Sequence, residues 1–188
     1  PEKAVLSEGI KNLLTKLVEK KKIDVLVTSG RSATFLQKEL KNTGVRMAAE
    51  HGSKYYGKTN KRWRVLVNSN KSSWYNQAHK IMKDYAVRTP GSFIERKNFA
   101  LSWHYRKSPK DFGKFQASKL MGELESGLAN LPVTTILGKK VIEVRAIEAN
   151  KGTFANWYRH HISDPEDTVY IGMGDDRTDE DMFSVIHN

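Results

Sequence analysis

Apolar residues recur at Ile10, Leu13, Leu14, Leu17 and Val18, the three-and-four spacing of a helix with one buried face, so residues 7–20 read as an amphipathic helix. The basic run Lys20-Lys21-Lys22 closes it. Residues 23–28 form a short, mostly apolar run that ends in Thr28-Ser29-Gly30-Arg31, and residues 33–40 return to helical spacing. Strand, polar turn and helix in that order make half of a βαβ unit. Residues 45–49 read as another buried strand, followed by Glu50-His51-Gly52. Near the other end, residues 153–161 read as a helix, 164–167 as a turn and 168–171 as a strand, and the acidic stretch that follows leads into a last helix.

The middle of the chain has a different grammar. Residues 72–87 read as a helix stopped by Thr89-Pro90-Gly91, a turn signal. Residues 93–95 and 100–105 read as aromatic-rich strands, 112–129 as a second helix, and 133–137 with 141–144 as strands flanking the hairpin-like Gly138-Lys139-Lys140. Helix, two strands, helix, two strands predicts an α+β insert at residues 66–147. The flanking residues 1–65 and 148–188 are expected to form one discontinuous α/β core.

Composition narrows the chemistry. The 188 residues are enough for a sizeable core, and no apolar run is long enough to span a bilayer. Neither a membrane nor a secretory leader enters the expectation. The absence of cysteine excludes disulfides and thiolate metal ligands and fits a cytoplasmic protein. Lys plus Arg number 32 against 21 Asp plus Glu, a net charge of +11, which predicts attraction to anions. A nucleic-acid binder using residues 58–64 is one reading of that surplus, but no recognisable nucleic-acid motif accompanies it, and no nucleic acid is expected as partner.

The segment at residues 169–183, VYIGMGDDRTDEDMF, carries the sharpest chemical signal. An apolar stretch ends in glycines and exposes Asp175, Asp176, Asp179 and Glu180 at a helix start. Such carboxylates repel one another unless amides, hydrogen bonds or a cation offset the charge, and oxygen ligands there suit Mg²⁺. The alternative is an acidic turn that only caps a helix. Two further groups suit the same chemistry: the hydroxyls of Thr28-Ser29-Gly30 at one strand end, and Lys151 of Asn150-Lys151-Gly152 at a helix start. Ligands of open α/β sheets bind at the carboxyl ends of strands. A phosphoryl group is held by a hydroxyl, amides, a lysine and Mg²⁺. Taken singly, Ser29 is equally an ordinary turn residue and Lys151 a solvated lysine.

The ordered blocks Ser29-Gly30-Arg31, Glu50-His51-Gly52, Gly91-Ser92-Phe93-Ile94-Glu95-Arg96-Lys97, Ser102-Trp103-His104-Tyr105-Arg106, residues 139–145, Asn150-Lys151-Gly152 and residues 174–183 resemble the haloacid dehalogenase superfamily, and within it the trehalose-6-phosphate phosphatase family. The resemblance runs through nearly the whole chain. It implies a Rossmann-like haloacid dehalogenase core carrying an inserted α+β cap, Mg²⁺ as cofactor, and trehalose 6-phosphate as substrate. It further implies Ser29 and Lys151 as phosphoryl-binding groups, and Asp175 with Asp176 and Asp179 at the metal, as ligands or through its waters. Glu95, Lys97, Arg106 and Glu143 become the sugar-recognition set, and Arg31 and His51 become phosphate or cap-closure contacts. A charged, solvent-facing sheet is the plainer reading of the four cap residues, and a structural hydrogen bond that of His51.

One departure stands out. The superfamily's Asp-x-Asp-Gly-Thr nucleophile loop, which follows the first core strand, does not occur in these residues, and the only Asp-x-Asp is Asp179-Glu180-Asp181. The expectation is an incomplete core, part of a longer protein and inactive on its own, with a fused or associated trehalose-6-phosphate synthase as partner. The rival expectation is a non-catalytic, phosphatase-like regulatory domain of a trehalose-synthesis complex.

Overall fold

A computed structural model describes residues 5–59, 61–67, 74–162 and 168–186. In chain order the elements are α1 (Glu8–Val18), β1 (Leu26–Thr28), α2 (Ala33–Leu40), β2 (Arg46–Ala49), a 3-10 turn (Glu50–Gly52), β3 (Lys54–Tyr56), β4 (Trp63–Val65), α3 (Tyr75–Arg88), β5 (Phe93–Arg96), β6 (Ala100–His104), α4 (Lys110–Gly127), β7 (Val133–Gly138), β8 (Val141–Ala146), α5 (Lys151–His161) and α6 (Arg177–Ile186). Contacts divide the chain into two units, Pro1–Asn68 with Glu148–Asn188, and Ser69–Ile147.

The first unit is built on a four-stranded sheet in the order β1-β2-β3-β4, in which β1 and β2 run parallel and the other pairs antiparallel. Ser7 starts α1 by accepting from the Ile10 amide, and Ser32 starts α2 by accepting from the Phe35 amide. Hydroxyls at these positions satisfy amides that the helix itself leaves unpaired. Leu36 and Leu40 of α2 bury against Val45, Met47 and Ala49, with Leu14 and Val18 of α1 packed alongside. Each such aliphatic side chain removed from water stabilises the fold by roughly 1.5–3 kcal/mol. A second cluster joins Ala48 and Tyr55 to Phe154 and Tyr158 of α5. Asp24 anchors it from the strand side, accepting from Tyr158 Oη (2.6 Å) and Arg46 Nε (2.6 Å) and pairing with Lys58 Nζ (2.9 Å).

The strand reading of this unit needs correction at two places. Residues 168–171, read as a strand, join no ladder among the described residues. Val169, Ile171 and Met173 stand 88, 79 and 85% exposed instead. Period-two apolarity is only half of a strand, because the backbone groups also need a partner. Conversely, β3 and β4 form although the alternation was too short to announce them: Tyr55 is buried between the half-buried Lys54 and Tyr56, and β4 adds to that edge. The acidic loop therefore follows a stretch without a described ladder rather than a paired strand end. The turn expected at 164–167 lies outside the described residues.

The second unit is an antiparallel sheet in the order β5-β6-β8-β7 with α3 and α4 on one face. Leu101, Trp103, Ile142 and Val144, in register across β6 and β8, are fully buried with Met82 and Tyr85 of α3 and Leu120 and Leu124 of α4 also buried. Alternation sends the intervening residues to the opposite face, where Phe93, Glu95, Ser102, His104 and Glu143 share one surface. No described helix is long and apolar enough to cross a membrane.

Candidate functional site

Two loops at the ends of β1 and β2 are stitched together by their backbones. The Glu50 amide donates to the Arg31 carbonyl (3.0 Å), and the His51 amide donates to the Ser29 carbonyl (3.0 Å). Ser29 Oγ accepts from the Arg31 amide (3.2 Å), so its hydroxyl closes a small turn. Glu50 and His51 both adopt left-handed backbone angles, φ 50° and 58°, a conformation that costs free energy in non-glycine residues. The buried Glu50 is held there by Lys54 Nζ at 3.0 Å. His51 is buried, and its ring lies so close to Gly30 that a side chain at that glycine would collide with it. The Arg31 guanidinium sits 4.8 Å from the centroid of the Phe35 ring. Ser29, Arg31 and His51 thus belong to one loop pair.

The same unit builds a buried cation at the start of α5. Asn150 caps that helix, accepting from the amides of Gly152 (2.6 Å) and Thr153 (3.2 Å), and its Nδ2 donates to Asp181 Oδ2 of α6 at 2.8 Å. Lys151, the first helical residue, donates to Asp179 Oδ1 at 2.5 Å, with both side chains less than a tenth exposed. Asp179 Oδ2 accepts from the Asp176 amide (3.0 Å). Burial pushes the Asp179 carboxyl up, but the Lys151 ammonium and the Asp176 and Asp175 amides together outweigh it and hold it below the ordinary carboxylate range. A methyl on Gly174 would overlap the Asp179 carboxyl carbon, so the acidic loop wraps this carboxylate closely.

Asp175 and Asp176 are exposed, and one oxygen each of Asp175, Asp176 and Asp179 lies within 4.8 Å of the others. Of the three, Asp179 is already committed to a lysine and an amide. Asp175 and Asp176 are the carboxylates turned outward, and such a pair could hold a hard cation whose other positions are taken by water.

In the second unit, Glu95, Ser102 and Glu143 are directly opposite one another across β5, β6 and β8. Glu143 Oε2 accepts from Lys97 Nζ (2.7 Å) and Ser102 Oγ (2.8 Å), and Glu95 Oε2 lies 2.8 Å from His104 Nε2. The His104 hydrogen bond is the chief reason the Glu95 carboxyl lies below its ordinary pKa; burial opposes it, and Lys97 assists. Arg106 lies beyond β6, its Nη2 donating to the Lys139 carbonyl at 3.0 Å. Glu95, Lys97 and Glu143 therefore share a face, while Arg106 is tied to the β7–β8 turn. Sequence reasoning passed over Asn150, although Asn before a helix is a capping signal. It also passed over Ser102 and His104, whose signal is polarity at alternate positions of an otherwise apolar strand.

The family model for trehalose-phosphatase matches residues 1–188. A trehalose-phosphatase of Zygosaccharomyces rouxii is 34% identical over 207 residues, covering all of this chain and 23% of that protein. An alpha,alpha-trehalose-phosphate synthase B, UDP-forming, of Dictyostelium discoideum is 36% identical, again over the whole chain and 23% of its own length. The chain thus spans about a quarter of the curated relatives it matches. Among solved structures, the C-terminal domain of the C. albicans trehalose-6-phosphate phosphatase superposes with a TM-score of 0.92 at 37% identity, covering 100% of this chain and 67% of that one.

Proposed function

The chain belongs to the trehalose-phosphatase family, and from that we propose that it is part of a protein that hydrolyses trehalose 6-phosphate to trehalose and phosphate. The observation that carries the reading is the buried Lys151–Asp179 pair beside the outward Asp175 and Asp176. A lysine this buried has lost most of its hydration, and the Asp179 carboxylate takes only one of its three N–H donors. A bound phosphoryl oxygen would accept from another, and the helix start would add its own field.

In this reading Lys151 and the Ser29 hydroxyl bind phosphoryl oxygens, Asp179 fixes Lys151, and Arg31 and His51 complete the anion's surroundings. Asp175 and Asp176 hold Mg²⁺, which neutralises charge on the phosphoryl group when bound. The group that attacks phosphorus is not among these residues. The family's Asp nucleophile, forming an aspartyl-phosphate, and the Asp beside it would come from elsewhere in the full-length protein. Glu95, Lys97, Arg106 and Glu143 recognise sugar hydroxyls, which carboxylates accept from and lysine and arginine donate to. The synthase names among the relatives support a fused or associated synthase as partner, and the lack of cysteine in these residues fits the cytoplasmic setting that we propose.

Phosphate release from trehalose 6-phosphate, measured for the full-length protein and for the 188-residue chain, tests this. Mg²⁺-dependent turnover is expected from the first, abolished by Asp175→Ala, and none from the second. Absence of turnover in the full-length protein would replace the catalytic reading by a regulatory one.

A further inference from the structure

The two glutamates assigned to sugar recognition are two strands apart, and the residue between them in register is Ser102 of β6. Ser102 is 1% exposed, yet its hydroxyl is spent on Glu143 Oε2 rather than on the backbone. Two positions further along the same strand and face, His104 reaches diagonally to Glu95 Oε2. Its ring is stacked on Phe93, with centroids 4.7 Å apart and planes 15° apart. The ionised Glu95 has only acceptor oxygens, so Nε2 of His104 must carry the proton it shares with Glu95. Phe93 holds the ring plane in which that donor points. One strand thus holds one oxygen of each carboxylate.

Resting on the sugar-recognition reading above, we infer that Ser102 and His104 are positioning residues: from β6 they fix Glu143 and Glu95 in the orientation that meets the hydroxyls of a disaccharide phosphate. A long, rotamer-rich glutamate binds a hydroxyl at lower entropic cost when its carboxylate is already oriented. The half-exposed Glu95, with 47% of its side chain accessible, has His104 as its one hydrogen-bond partner among the described residues. Ser102 suits its place because its short hydroxyl reaches Glu143 Oε2 at 2.8 Å across neighbouring strands, where opposed Cβ atoms lie about 5 Å apart.

The test compares His104→Phe, His104→Gln and Ser102→Ala with Glu95→Ala in the full-length protein. His104→Phe keeps a ring on Phe93 but deletes the donor; His104→Gln keeps an N–H donor. His104→Phe and Ser102→Ala are each expected to raise KM for trehalose 6-phosphate about tenfold, the scale of one charge-assisted hydrogen bond, with a much smaller fall in kcat. His104→Gln should recover most of that KM. If His104→Phe leaves KM unchanged while Glu95→Ala raises it, positioning is wrong and sugar recognition stands. If Glu95→Ala itself leaves KM unchanged, both fall. A fall in kcat as large as the rise in KM for His104→Phe, with no rescue by His104→Gln, would mark a packing role and overturn the proposal.

Discussion

Each unit contains a lysine–carboxylate pair drawn out of water, and the two are built in opposite senses. Lys151 and Asp179 meet at 2.5 Å with 7% and 8% of their side chains exposed, where two helices start. Lys97 and Glu143 meet at 2.7 Å with 13% exposed on each, on the open face of a sheet. In the first pair the carboxylate is the support: backbone amides and the lysine surround it, and the cation is what the proposed chemistry uses. In the second the carboxylate is the group the proposed sugar recognition would use, and lysine and serine support it. A helix start offers amides that fix an anion and so can carry a lysine on it. A sheet face offers only side chains at regular spacing, so a carboxylate there must be steadied by its cross-strand neighbours.

The sharpest way to break this comparison is to remove the supporting member of the deeper pair. Asp179→Ala leaves Lys151 buried without its carboxylate and is expected to destabilise the full-length protein by about 3–5 kcal/mol. Lys97→Met, in the shallower pair, should cost clearly less. Chemical denaturation of both variants measures the difference, and equal losses would mean that burial does not distinguish the pairs.

Next in size is the effect on substrate choice. Glu95→Ala or Glu143→Ala should lower kcat/KM for trehalose 6-phosphate by about 10²-fold, as expected when buried polar partners lose a hydroxyl contact. A small aryl phosphate lacks those hydroxyls and should lose far less. Parallel kinetics on the two substrates decide it: matched losses would assign the glutamates to folding or to the phosphoryl chemistry.

The smallest effect concerns acid. Asp24 and Asp179, both in the first unit, have carboxyls held below their ordinary range. For each, burial pushes upward and the sum of the hydrogen-bonding partners more than offsets it: Tyr158, Lys58 and Arg46 for Asp24, Lys151 and two amides for Asp179. A lowered folded-state pKa gives stability that is complete above the unfolded value and is lost as pH falls through the folded one. The loss should therefore begin near pH 4 and deepen below it. Asp24 is 41% exposed, so Asp24→Asn should remove only a minor part, about 1 kcal/mol or less after screening. Melting temperatures from pH 6 to pH 2 check this; a variant as acid-sensitive as the parent would exclude Asp24 as a contributor.

The second unit was the more legible of the two in the sequence, because its strands are long enough to show alternation. Trp103 and Leu101 face the helices while Ser102 and His104 face away, and that pattern is written in five consecutive residues. The first unit depends more on partners distant in sequence. Val169, Ile171 and Met173 carry the pattern of a strand without a described ladder, and Lys54-Tyr55-Tyr56 forms a strand with almost no pattern. The site divides in the same way. Local signals marked Ser29, Lys151 and Asp175. That Asp179 would turn from the acidic cluster to grip Lys151, 28 positions away, was not visible, because no local spacing encodes it.

Gly174 shows how far that grip extends beyond its two members. The space a methyl group would take there is already filled by the Asp179 carboxyl group. The placement of the Lys151 charge is therefore inherited partly from an atom the chain does not have. Counted as a target for mutation, the cation's seat is wider than the ion pair, and it includes a residue with no charge and no side chain.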